Sequence, residues 1–134
     1  RIAKKFDAVQ GLYYEKKDHL LYLTATYAFF RDKTGFDAIS ADEGFFGVVD
    51  RKKKFLVIEN VPDGYLEPFS GLGQSKPAFL LFVPVVKDGE MTGIFELATF
   101  KRPGVEARII ADHITQYLSV ILEGKEKNLL VHSN

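Results

Sequence analysis

Apolar and polar positions alternate along the chain in a way that separates short strands from longer helical runs. From Phe6 to Tyr14 the residues are largely apolar and aromatic. Glu15-Lys16-Lys17-Asp18 then forms a polar turn, and His19 to Phe30 is rich in β-branched and aromatic residues. Within that second run Leu21, Leu23, Ala25, Tyr27 and Phe29 occupy every other position, the repeat of a strand with one buried face. Two such runs around a tight polar turn predict a β-hairpin. A polar, glycine-containing connection follows from Arg31 to Ile39.

Ser40-Ala41-Asp42-Glu43 has the spacing of a capping box, in which the serine oxygen accepts from a helical amide while the glutamate reaches back. Phe45, Phe46, Val48 and Val49 then fall on one side of a helix. Asp42 and Glu43 at its start and Arg51 to Lys54 at its end suit the helix dipole. Gly44 and Gly47 each cost about 1 kcal/mol of helix propensity relative to alanine, so both are expected to let this helix sit close on a sheet. Phe55 to Ile58 predicts a short buried strand. Pro62, Asp63, Gly64, Pro68, Gly71 and Gly73 punctuate a loop that runs to about Pro77. Its length favours a binding or lid segment over a plain connection.

Two further strands, Phe79 to Val86 and Met91 to Phe100, flank Lys87-Asp88-Gly89-Glu90, and Asp-Gly between apolar runs is a strong hairpin signal. Pro103-Gly104 opens a helix that runs to about Leu122 and closes at Gly124. Ile110, Ile114, Leu118 and Ile121 make one stripe on it, and Ile109, Tyr117 and Val120 broaden that stripe. One side of the helix is expected on the sheet and the flank against another helix. Two hairpins with few crossovers argue an α+β fold, an antiparallel sheet with helices on its faces. Residues 1–5 are expected to end a truncated helix, residues 6–124 to form the domain, and residues 125–134 to be a linker or tail. A start at Arg1 and a polar end suggest a piece of something longer.

Composition narrows the chemistry. The 18 basic and 18 acidic residues cancel, which leaves no electrostatic footprint for nucleic acid or an anionic membrane. The longest apolar run, Ala78 to Val86, contains Pro84 and falls far short of the roughly 20 residues of a membrane-spanning helix. The chain has no cysteine, which removes disulfides, thiolate metal sites, cysteine nucleophiles and thioether-linked chromophores. A cytoplasmic location is expected.

His19, His113 and His132 lack metal-ligand spacing and read as solvent or interface histidines; His113, on the flank of the last helix, is the one to inspect. Ser70 to Gln74, "SGLGQ", lacks the lysine and hydroxyl of a phosphate-binding loop. The basic run "RKKK" is accounted for by a helix C-terminus. Glu96, in "GIFELATF", is a carboxylate inside an apolar strand, facing either a polar cavity or a solvated sheet edge. If buried, it needs a partner or a raised pKa. No second group is placed to make it a catalyst, so no catalytic residue is assigned. Twelve phenylalanines and six tyrosines, several near the long loop, read either as core or as the lining of a cavity for a small planar or apolar ligand.

The glycine-bracketed Gly44-Phe45-Phe46-Gly47, the turn Glu59-Asn60-Val61-Pro62, the strand Val83-Pro84-Val85 and the strand Gly93-Ile94-Phe95-Glu96-Leu97 occur in that order. Together with the long helix they resemble a GAF domain of a bacterial multidomain signalling protein, of the sensor histidine kinase type. The resemblance covers roughly Phe6 to Leu122. It implies a GAF-like central antiparallel sheet of five to six strands with helices packed on its faces, and a sensory or regulatory module without its own enzymatic activity. An unidentified small molecule would bind between the sheet and loop 61–77, with Phe46, Tyr65, Phe69, Phe79, Phe95 and Glu96 as the expected ligand contacts. Transmission would run through the terminal helix into neighbouring domains, across a homodimer with Ile109, His113, Tyr117 and Val120 at its interface. A ligand-free structural dimerisation module is the alternative. The cyclic-nucleotide signature of some GAF domains is missing at matching positions, and the lack of cysteine argues against both a covalent bilin and the methionine sulfoxide reductase chemistry known in this fold.

Overall fold

Six strands form one antiparallel sheet in the computed structural model, which describes residues 6, 8, 10–27, 38–59 and 78–116. In chain order the elements are β1 (Gln10–Lys17), β2 (Leu20–Tyr27), β3 (Ile39–Ser40), helix α1 (Gly44–Lys52), β4 (Leu56–Glu59), β5 (Phe79–Lys87) and β6 (Glu90–Thr99). A second helix, α2, spans residues 105–116. The strands lie in the order β3-β2-β1-β6-β5-β4, and every neighbouring pair runs antiparallel. The expected α+β class and antiparallel sheet are therefore present.

Both hairpins form. Asp88 and Gly89 both take positive φ, 53° and 78°, the backbone a two-residue hairpin turn requires when its twist matches that of its strands. The first hairpin turns later than its polar run suggests, at Asp18-His19, so that Glu15, Lys16 and Lys17 belong to β1. Lys16 stays in the strand because it reaches α1, where its ammonium meets both carboxylate oxygens of Asp50 at 3.0 and 3.1 Å.

The expected single buried face of β2 holds only for its first half. Leu21 is fully buried and Leu23 packs on the core, but Ala25 is exposed and Tyr27 is 40% exposed. The register explains the change: Tyr13 pairs with Ala25 and Tyr14 with Leu23, leaving Thr24 as the extra residue of a bulge. One extra residue reverses the side to which all later residues point. Phe29 lies outside the described residues.

Side chains on the two faces of the sheet form two apolar clusters. On one face Leu12, Tyr14, Leu21, Leu80, Phe82, Ile94 and Ala98 meet Phe45, Phe46 and Val49 of α1. On the other, Leu81, Val83 and Leu97 meet Phe6, Ala8 and the inner side of α2, which comprises Ala107, Ile110, Ala111 and Ile114. The helix start differs from a capping box. Glu43 is the N-cap without a side-chain cap bond, and Ser40 ends β3, its Oγ accepting from the amide of Asp42 at 3.1 Å. Ser40 is held by pairing with Leu20 across the sheet, which places it too early to cap.

Gly44 and Gly47 serve separate ends, neither of them a close approach to the sheet. Gly44 has φ +61° and open space around it, whereas a Cβ on Gly47 would stand 2.5 Å from the carbonyl oxygen of Asp42. Aromatic contacts seat the helix instead: Phe45 and Phe46 lie 5.7 and 5.3 Å from the ring of Phe82. Gly44→Ala is expected to cost about 1–2 kcal/mol through the left-handed backbone alone, and Gly44→Asn less. Gly47→Ala is expected to cost about 1–3 kcal/mol through overpacking against rigid main chain, with no relief from asparagine. Urea denaturation of the four single variants checks this; a neutral Gly47→Ala would show that the Asp42 contact imposes no constraint.

Candidate functional site

The centre of the α1 face carries two polar side chains among apolar ones, and both are buried. Gln10 is fully buried and Glu96 is 4% exposed. The register sets Glu96 between Leu12 of β1 and Phe82 of β5, and sets Gln10 opposite Ala98, so the two polar side chains are diagonal neighbours on adjacent strands. Phe46 bridges the strands that flank β6. Its ring stands edge-on to Tyr14 at 5.4 Å and to Phe82 at 5.3 Å.

The electrostatics follow from this enclosure. Burial raises the pKa of the Tyr14 phenol far above its ordinary 10.0, and the nearby Glu96 carboxylate raises it further, because a second negative charge there is disfavoured. Tyr14 is therefore a neutral hydroxyl on the floor of this face. Among the described residues neither the amide nitrogen nor the amide oxygen of Gln10 has a hydrogen-bond partner. Leaving a buried polar group unpaired costs about 1–3 kcal/mol, so Gln10 offers an unused donor and acceptor side by side.

The expected ligand contacts do not gather in one place. Phe46 and Glu96 share the α1 face. Phe79 and Phe95 belong to the opposite face, where Phe95 stacks with Tyr13 at 4.5 Å and Arg102 lies over Phe79 at 5.2 Å. Strand parity separates them: residues 79 and 95 are an odd number of positions from 82 and 96. Tyr65 and Phe69 lie outside the described residues, as does all of loop 61–77. Gln10 and Tyr14 were not singled out from sequence; their alternation with Leu12 was the available signal. Of the expected interface residues, Ile109 is 58% exposed, near Val105 at 77%, and His113 is exposed; Tyr117 and Val120 lie outside the described residues.

Among the described residues no group of three or more His, Asp or Glu is placed to hold a metal ion, and no helix is long and apolar enough to cross a membrane. A chain without cysteine cannot hold a bilin by a thioether.

No protein-family model matches the sequence, and no curated protein matches it either. Solved structures do match. The GAF domain of a two-component sensor histidine kinase from Bacillus halodurans aligns over 95% of this chain and 92% of its own, at 10% identity and TM-score 0.67. This chain has a GAF-like fold. The GAF domain of a phosphoenolpyruvate-protein phosphotransferase from Coxiella burnetii aligns over 91% and 76% at 19% identity and TM-score 0.61. A type II free methionine-R-sulfoxide reductase from Thermoplasma acidophilum aligns over 86% and 78% at 18% identity and TM-score 0.64. The GAF domain of a histidine kinase, the GAF domain of a phosphotransferase and a reductase thus share this architecture, and the likeness does not single out histidine kinases.

The Tyr14 environment makes stability depend on alkaline pH. The folded phenol keeps its proton when the unfolded one loses it at 10.0, so the unfolded state binds fewer protons and stability falls as pH rises above 10. Tyr13, raised by burial and then by Glu15, acts in the same direction. Tyr14→Phe is expected to flatten this decline, read as urea midpoints from neutral to alkaline pH; an unchanged slope would place the Tyr14 hydroxyl in water.

Proposed function

We propose that this chain is a ligand-responsive regulatory module of a signal-transduction protein, taking a small molecule on the α1 face of its sheet. The observation that carries this reading is Gln10, a fully buried amide with both polar ends unpaired among the described residues. Folding rarely leaves such a group unsatisfied. A bound molecule with an adjacent acceptor and donor, and a planar body suited to Phe46 and Phe82, would satisfy it. Glu96 and the neutral Tyr14 add polar anchors beside it. Segment 61–77, which joins β4 to β5 in sequence, is the part of the chain we assign to covering the ligand. No catalytic role is assigned to this chain.

Transmission through α2 is the second part of the reading. Its inner side is committed to the sheet, while Val105 and Ile109 face outward, one helical turn apart. We assign this outward stripe, continued by His113, to pairing with a second copy of the chain. We assign a cytoplasmic signalling protein as the setting, with a two-component sensor as one case because the structurally similar Bacillus halodurans domain belongs to one.

Two experiments test these assignments. Gln10→Leu is expected to raise the stability of the ligand-free protein by about 1–3 kcal/mol and to remove the stabilisation that a metabolite screen finds for the wild type, which grows with ligand concentration above Kd. A screen that stabilises nothing, with Gln10→Leu no more stable than wild type, refutes the ligand site. Separately, Ile109→Glu is expected to shift sedimentation equilibrium towards monomer with the fold unchanged. A wild-type chain that is monomeric at high concentration refutes the pairing.

A further inference from the structure

The described residues line a concavity that shares no side chain with the Gln10 site. A cleft of about 680 Å³ is lined by Lys53, Lys54 and Phe55 from the link between α1 and β4, Val86 near the end of β5, and Arg108, Asp112, Thr115 and Gln116 of α2. Its size falls in the range of small-molecule sites. Three cations face one carboxylate, an excess of two positive charges in a chain whose total charge is zero. The basic run at residues 51–54 supplies two of the three. Helix polarity explains Arg51 and Lys52 in the last turn of α1, but Lys53 and Lys54 lie beyond it, at the cleft.

Lys53 is positioned by the backbone. It takes the left-handed conformation at the helix C-cap, with φ 54°, and its amide donates to the carbonyl of Val49. Its ammonium donates to the carbonyl of Asp50 at 2.7 Å and keeps two further protons for another acceptor. Lys54 and Arg108 have no ion-pair partner among the described residues. Thr115 gives an independent sign of an absent partner: its hydroxyl is buried and without a hydrogen bond among the described residues. Thr115 also lines the cleft, and threonine in a helix has two accessible χ1 wells. Phe55, held against the ring of Phe6 at 6.2 Å, and Val86 provide an apolar wall.

We propose that this cleft binds a phosphate monoester carried on an apolar or aromatic body. Lys54, Arg108 and a donor from Lys53 surround the phosphate oxygens, the Thr115 hydroxyl adds a fourth donor, and the body lies on Phe55 and Val86. A dianionic phosphate matches the excess of two positive charges, and its three terminal oxygens outnumber the two of a carboxylate. This site stands independently of the ligand site on the α1 face, because it shares none of its side chains.

The test uses phenyl phosphate as probe, titrated into the full 134-residue chain by calorimetry at low ionic strength, with benzoate, inorganic phosphate and sulfate as comparisons. Phenyl phosphate is expected to bind saturably and more tightly than the other three. Lys54→Gln and Arg108→Gln, both at exposed positions, are each expected to weaken it about tenfold, and Thr115→Val about threefold. Lys17→Gln, an equal loss of charge at an exposed position in the first hairpin, is expected to leave binding unchanged. Absence of saturable binding at millimolar probe overturns the proposal, as does wild-type affinity in Arg108→Gln and Lys54→Gln. Equal binding of benzoate overturns the choice of phosphate, and equal binding of sulfate overturns the apolar subsite.

Discussion

The constraint on which the rest of the molecule depends is burial of β5 and β6 from both sides. Leu80, Leu81, Phe82, Val83 and Val85 are each no more than 1% exposed, so consecutive residues, which point to opposite faces, are all removed from water. Antiparallel sheets commonly leave one face solvated; the centre of this one does not. Two separate covers are therefore required. Phe45, Phe46 and Val49 of α1 provide one, and Phe6, Ala8 and the inner side of α2 provide the other. With apolar burial contributing about 25 cal/mol per Å², loss of either cover would expose a largely apolar face to water.

Double coverage gives the two faces different chemistry. On the α1 side Gln10, Tyr14 and Glu96 are buried, and so they acquire properties that the same residues would lack on a solvated sheet. The Tyr14 phenol is the clearest case, its ionisation opposed first by burial and then by the Glu96 carboxylate. On the α2 side the sheet is covered by small and branched aliphatic residues of the helix, and polar groups collect at the periphery, where the α1–β4 link approaches α2.

Helix α1 is common to both regions. Its aromatic start packs on Tyr14 and Phe82, and the link after its end, Lys53 to Phe55, forms part of the cationic cleft. The ion pair between Lys16 and Asp50 fastens it to β1, and the C-cap at Lys53 fixes the direction in which the chain leaves it. Occupancy on one face can influence the other only so far as a ligand prefers one position of this helix over another.

The sequence by itself determined the elements whose causes are local. Asp88-Gly89 between two apolar runs fixes a hairpin because few other residue pairs accept positive φ in succession. Alternation gives β2 its extended form, apolar runs bounded by turn residues give β1, β5 and β6 theirs, and the spacing of Phe45, Phe46 and Val49 gives α1 its apolar side. The order of these pieces, read with their glycines and prolines, was enough to identify the GAF-like architecture. Tertiary structure alone decided the rest. The bulge at Thr24 reverses the outer half of β2, and pairing of Ser40 in β3 moves the helix start to Gly44, because hydrogen bonds from distant strands outweigh a local cap. A period of two also states that a strand has two faces without stating what covers either. That is why Glu96 and Phe95, both singled out, stand on opposite sides, and why the lack of a partner for Gln10 among the described residues became visible only once the strands were paired and α1 was placed.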